Sequence, residues 1–171
     1  MKKLALIGLV FAISVAVSTA QKYAYVDTEY ILNNIPTYKS AQSQLDKLSA
    51  DWEKEISEMY VEVERLYKAY QNDAVLLTQE MKKQREDEIV SKEKSAKDLQ
   101  SKYFGPEGEL FKKRQELIKP IQDEIYNAVK ELAVDGNYAV IFDTAGSLSM
   151  LYTNPRYDLS DDVLKKLGYQ N

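Results

Sequence analysis

Neither cysteine nor histidine occurs among the 171 residues. Without thiols no disulfide can staple the fold and no thiolate can act as a nucleophile, so packing or association must supply the stability. Without imidazole the usual general base and the commonest protein metal ligand are both missing, which excludes Ser-His-Asp and Cys-His triads. Proline (4) and glycine (6) are scarce, and neither occurs between Pro36 and Gly105. Positive charge is also short, with 23 Lys and Arg against 27 Asp and Glu. Phosphate binding needs a concentrated basic surface, so nucleic acid is not an expected partner. No EF-hand spacing and no phosphate-cradling glycine loop is present.

Long apolar runs are missing everywhere except at the start. Lys2 and Lys3 precede Leu4 to Val17, and Ser18-Thr19-Ala20 then supplies small residues before a cleavage point. Residues 1–20 therefore read as a signal peptide; an uncleaved anchor is the alternative reading of the same run. The exported chain is expected to begin at Gln21 and to keep no integral membrane segment. A lipoprotein would need a cysteine there. Removing Lys2 and Lys3 leaves 21 basic and 27 acidic residues, a net charge of −6.

What is there is mostly helix. "KYAYVDTEYIL" opens the exported chain with a strand over Tyr23–Val26, and Asp27 or Thr28 can cap a short helix through Leu32. Pro36 starts a long helix whose apolar positions, Tyr38, Ala41, Leu45, Leu48, Trp52, Ile56, Met59, Val63, Leu66 and Tyr70, alternate in steps of three and four with one stutter near Trp52. Residues 72–78 read as the tip of a helical hairpin, with Thr78 capping the return helix. The return seam is sparser: Met81, Ile89, Ala96, Leu99 and Tyr103, with Arg85 and Lys92 in positions that would otherwise be apolar. Gly105-Pro106-Glu107-Gly108 breaks that helix, a second bend is expected at Pro120, and Asp135-Gly136-Asn137 ends a denser amphipathic helix. Strands are expected at Tyr138–Phe142 and Leu148–Tyr152. A terminal helix follows, N-capped by Ser160 and closed by Gly168. The fold class is α+β and mostly α: a long helical hairpin inserted in a small β-strand core.

Asp143-Thr144-Ala145-Gly146 resembles the Asp-Thr-Gly signature of aspartic proteases, but it departs from that order, and such enzymes pair two carboxylates within an extensive β framework. Asp143 reads instead as a strand-end residue capping a turn. Asp161-Asp162 and Glu107 with Glu109 read as acids at helix starts. No catalytic, cofactor-binding or metal-binding residue is assigned, and the chain does not read as an enzyme.

Two features call for partners. The strands Tyr23–Val26, Tyr138–Phe142 and Leu148–Tyr152 are too few to bury their faces and edges in one chain, so about three chains are expected to pool them. The hairpin also carries apolar side chains beyond its seam: Tyr60, Tyr67, Tyr70, Val75, Leu76 and Leu77 are candidate residues for binding something irregular.

"YAYVDTEYIL" at the exported start, "IQDEIYNAVKELA" at 121–133, "YAVIFD" at 138–143 and "DLSDDVLKKL" at 158–167, in this order around a charged hairpin, resemble the Skp/OmpH family of periplasmic chaperones. The resemblance implies a homotrimer with a shared β core, built here from residues 21–36 and 105–171 with Tyr25, Val26, Val140, Ile141, Phe142 and Leu151 as candidate oligomer-core residues, and helical tentacles from residues 37–104. It implies ATP-independent binding of unfolded outer-membrane β-barrel proteins in the periplasm, with no cofactor. One departure stands out: family tentacles are basic, whereas Thr37 to Gln71 holds five basic and seven acidic residues, and Gln79 to Lys102 seven and six. Lipopolysaccharide binding is therefore not expected, and client capture should rest on tyrosine and aliphatic contacts. The rival reading is a periplasmic coiled-coil spacer that bridges folded envelope partners through its tip.

Overall fold

The computed structural model describes residues 21–146 and 150–169. The expected signal peptide and Leu148 lie outside them. Two compact units can be distinguished: one combines the described residues up to Ile31 with those from Tyr126 onward, and the other is Leu32–Ile125.

In the first unit, β1 (Lys22–Val26) pairs in parallel with β2 (Tyr138–Asp143), setting Tyr23 opposite Val140 and Tyr25 opposite Phe142. The alternation of β1 places Ala24 and Val26 in the core and leaves Tyr23 exposed. Asp27 starts α1 (Thr28–Asn33), its side chain accepting from the Tyr30 N–H at 2.9 Å, so of the two expected caps it is Asp27 that serves. Asp135-Gly136-Asn137 turns the chain into β2. Asn137, at φ 52°, takes the left-handed position, and Gly136 lets the Tyr138 ring lie where a β-carbon would stand 2.2 Å from it.

Residues 157–159 run along the other edge of β1, where the Leu159 N–H donates to the Tyr25 carbonyl at 2.9 Å. The final helix of the fold, α6, spans Ser160–Lys166. Its end is a Schellman closure: Gly168, at φ 85°, donates to the Lys165 carbonyl and Tyr169 to that of Leu164. Leu159, Val163 and Leu164 are buried in this unit together with Ile31 and Ala128.

Two expectations need correction here. Ser160 is the first residue of α6 and not its cap; the Asp158 carboxylate accepts from both the N–H and the hydroxyl of Ser160. Met150 to Tyr152 is not a strand: the two edges of β1 are taken by β2 and by residues 157–159, and among the described residues this segment joins no ladder; Leu151 stands fully exposed.

The second unit is dominated by the hairpin. α2 (Pro36–Asp73) has 38 residues, which at about 1.5 Å each reach about 57 Å. All ten expected seam residues from Tyr38 to Tyr70 are buried or half-buried, with Ala41, Leu45, Ile56 and Leu66 the deepest. Asp73 ends the helix, and the Thr78 hydroxyl accepts from the Met81 N–H to start α3 (Gln79–Phe104). On α3 only Ala96 is fully buried and Met81 is exposed, as expected of its weaker seam.

The glycine-proline segment then breaks the chain, and α4 (Glu109–Leu117) packs against both hairpin helices. Ala41, Leu45 and Ile118 form a core there with Tyr38, Leu110 and Leu117. The second break falls at Ile118, after which α5 (Lys119–Asp135) starts; Pro120 cannot donate the hydrogen bond that would join the two helices smoothly.

Candidate functional site

Along the hairpin, the stutter in the seam coincides with an aromatic cluster. Trp52 stacks on Tyr103 with ring centroids 4.7 Å apart and meets Phe104 edge-on at 6.2 Å. Tyr103 anchors the pair by donating its hydroxyl to Glu55 at 2.9 Å, which raises the tyrosine's pKa. Phe104 was not singled out from the sequence; its position one residue before Gly105 masks it as a helix end.

The six candidate binding residues divide into three kinds. Tyr60 and Tyr67 are exposed on α2. Tyr70 is half-buried and its hydroxyl donates to Glu86 on α3, so it helps to close the hairpin. At the tip, Val75 and Leu76 are 92% and 85% exposed while Leu77 is half-buried. A large exposed aliphatic pair on a turn has no role in the hairpin's own packing.

The hairpin has two unlike sides. One carries a groove of about 450 Å3 lined by Glu53, Ile56, Ser57, Tyr60, Gln100 and Phe104. The other carries a hollow of about 250 Å3 lined by Glu55, Glu58, Met59, Glu62 and Lys92. Charges pair mostly within one helix at i,i+3 or i,i+4, as in Lys54–Glu58, Arg65–Glu62, Lys68–Glu64, Arg85–Glu88 and Lys97–Glu93. All are exposed, so they support the helices only weakly.

In the first unit, Val140, Phe142 and Leu151 are exposed, Tyr25 and Ile141 are half-buried, and Val26 is already enclosed within its own chain. Tyr23 stacks on Phe142 at 6.5 Å beside a groove of about 660 Å3 that also takes in Tyr138, Met150, Tyr152 and Tyr157.

Asp143 lies at the end of β2, where its carboxylate accepts from the Thr28 N–H at 3.2 Å, the Thr28 hydroxyl at 2.7 Å and the Ala145 N–H at 3.0 Å. It ties β2 to the start of α1 as well as capping its own turn. A second network was missed in the sequence. Ser160, 3% exposed, accepts from the Asp27 N–H at 2.9 Å while donating to Asp158 at 2.6 Å. The Asp-Leu-Ser order at 158–160 was its only local signal.

Among the described residues no group of three or more acidic side chains could hold a metal ion. No described helix is long and apolar enough to cross a membrane.

A family model described as Outer membrane protein (OmpH-like) matches residues 22–167. The chain is 29% identical over 151 residues to an uncharacterized protein of Aquifex aeolicus (strain VF5), with 88% of each covered. It is 24% identical over 162 residues to the chaperone protein Skp of Pectobacterium atrosepticum, with 94% of each covered. A crystal structure of a proposed OmpH-like outer membrane chaperone from Caulobacter crescentus CB15 shares the fold, with a TM-score of 0.65 at 13% identity over 87% of this chain and 85% of that one. With nearly its whole described length matched, this chain belongs to the OmpH-like family.

Proposed function

We propose that this protein is an ATP-independent periplasmic holdase that binds unfolded outer-membrane β-barrel proteins and prevents their aggregation. The observation that carries the reading is the apolar area left exposed on the hairpin outside its seam: Tyr60, Tyr67, Val75 and Leu76. The name of the Pectobacterium relative, a chaperone, points the same way. Holding without fuel is physically reasonable when contacts of about 1 kcal/mol or less sum by multivalency and leave the client mobile. A client that reaches a stable folded state then leaves by competition.

The working unit is a homotrimer in this reading. An isolated two-stranded sheet is marginal, and among the described residues the outer edge of β2 pairs with no strand. Pooling strands from three chains would cover that edge together with Val140, Phe142 and Leu151. Residues 21–36 and 105–171 then serve as the oligomerisation base and residues 37–104 as the tentacle. The periplasm follows from reading residues 1–20 as a signal peptide.

Substituting the exposed pair Tyr60 and Tyr67 together by Ser tests the assignment. Retention of a urea-unfolded outer-membrane β-barrel protein in size-exclusion chromatography should fall, while the sedimentation mass of the protein itself stays that of the wild type. A lost oligomer would show instead that these tyrosines are structural.

The exposed tip favours a second reading, a coiled-coil spacer that docks folded envelope partners through Val75 and Leu76. Deleting residues 72–78 separates the two: a cage keeps most of its holding activity, and a spacer loses its partner.

A further inference from the structure

The two sides of the hairpin differ in the chemistry they offer, and the inference drawn from this rests on the holdase reading. The groove beside Tyr60 contains two aromatic rings and no cation. Tyr67, one heptad along α2, continues the row and is half exposed. Steps of four from Tyr60 and of seven from Gln100 put Glu64, Glu93 and Glu86 on this same side, and Glu53 lines the groove itself. The antiparallel register agrees: Ser57 faces Gln100 across the groove, and Tyr70 reaches Glu86.

Lys68 and Lys97 are paired with Glu64 and Glu93. Among the described residues Glu53 and Glu86 make no ion pair and accept only hydroxyl hydrogen bonds, from Ser49 and Tyr70. Lys82, one turn before Glu86, falls on this side too, so the aromatic side carries four carboxylates against three lysines, a net charge of −1, with Glu53 and Glu86 the two carboxylates outside any ion pair. Its opposite side sets Arg65, Arg85 and Lys92 among Glu55, Glu58, Glu62 and Glu88, so the two sides differ in their rings rather than in net charge, and no ring lines the hollow there.

We propose that the tyrosine side is the docking surface, and that its occupant is an extended polypeptide segment with aromatic or aliphatic side chains and neutral or positive charge. Tyrosine faces and unpaired carboxylates together suit cationic and apolar side chains, and they repel acidic ones. Selection by charge here has a sign: added salt weakens capture of basic segments and strengthens capture of acidic ones.

The test titrates the purified protein into labelled peptides that share one alternating aromatic-polar core and differ only in flanking Lys, Gln or Glu. Fluorescence anisotropy at low salt should rank Lys above Gln above Glu by roughly threefold per step, and the three affinities should converge as salt is added. Tyr60→Ser with Tyr67→Ser should weaken all three peptides. Glu58→Gln with Arg85→Gln, on the other side, should leave them unchanged. Circular dichroism should show unaltered helix in both exposed pairs of variants.

Equal or tighter binding of the Glu-flanked peptide at low salt would overturn the inference. So would a loss from Glu58→Gln with Arg85→Gln as large as that from the tyrosine pair. If even the Gln-flanked peptide fails to bind while the protein still suppresses aggregation of a β-barrel client, the docking surface is wrong and the holdase reading survives. Failure of both assays removes both.

Discussion

Asp143 commits both carboxylate oxygens to Thr28 and Ala145, so its chemistry is that of a clamp between β2 and α1. Ser160 does similar work in a more buried setting, as acceptor from the Asp27 N–H and donor to Asp158. Ser160→Ala leaves that N–H partly buried without its partner, a loss of about 1–3 kcal/mol. Urea unfolding should register it as a lower midpoint with an unchanged slope, and an unchanged midpoint would remove Ser160 from the network. Such roles were only half legible in the sequence. The motifs that draw attention, Asp143-Thr144 and Asp158-Leu159-Ser160, are visible locally. Their partners Thr28 and Asp27 are more than a hundred residues away, and nothing in local propensity joins them.

At the scale of elements, the hairpin was the most legible feature, because a three-four repeat with no glycine or proline has one favourable outcome and a Thr N-cap marks the return. The aromatic cluster where α3 ends was not. Trp52 fits the seam as any large apolar residue would, whereas its stack on Tyr103 and its edge contact with Phe104 depend on the antiparallel register. Trp52→Ala should cost about 2–4 kcal/mol, combining a half-buried large side chain with two ring contacts, and thermal denaturation followed by helical ellipticity should show the loss. A shift below about 0.5 kcal/mol would mean the cluster is surface decoration. The strand expected at Leu148–Tyr152 was misread because an apolar, β-prone run states only a preference. A strand also needs a ladder to join, and among the described residues Met150 to Tyr152 joins none.

For the whole molecule, the absence of histidine and cysteine shapes its response to pH. Glu62, Glu64 and Glu109 lie below the ordinary 4.5 because Arg65, Lys68 and Lys112 hydrogen-bond them. Their contribution is complete above about 4.5 and is lost as pH falls through the lowered values. Tyr70 and Tyr103 lie above the ordinary 10.0 because Glu86 and Glu55 accept their hydroxyl protons, so their contribution is complete below about 10 and is lost as pH rises through the raised values. The thermal midpoint should therefore form a plateau from about pH 6 to 9. A change of more than about 3 °C within that window would contradict the assignment. The central claim, fuel-free holding of unfolded chains by an assembly of hairpins, is tested most directly by light scattering as an unfolded outer-membrane β-barrel protein is diluted from urea into the purified protein. The account predicts suppression that saturates near one client per three chains and is indifferent to ATP. Undiminished scattering across excess protein and moderate salt would contradict it.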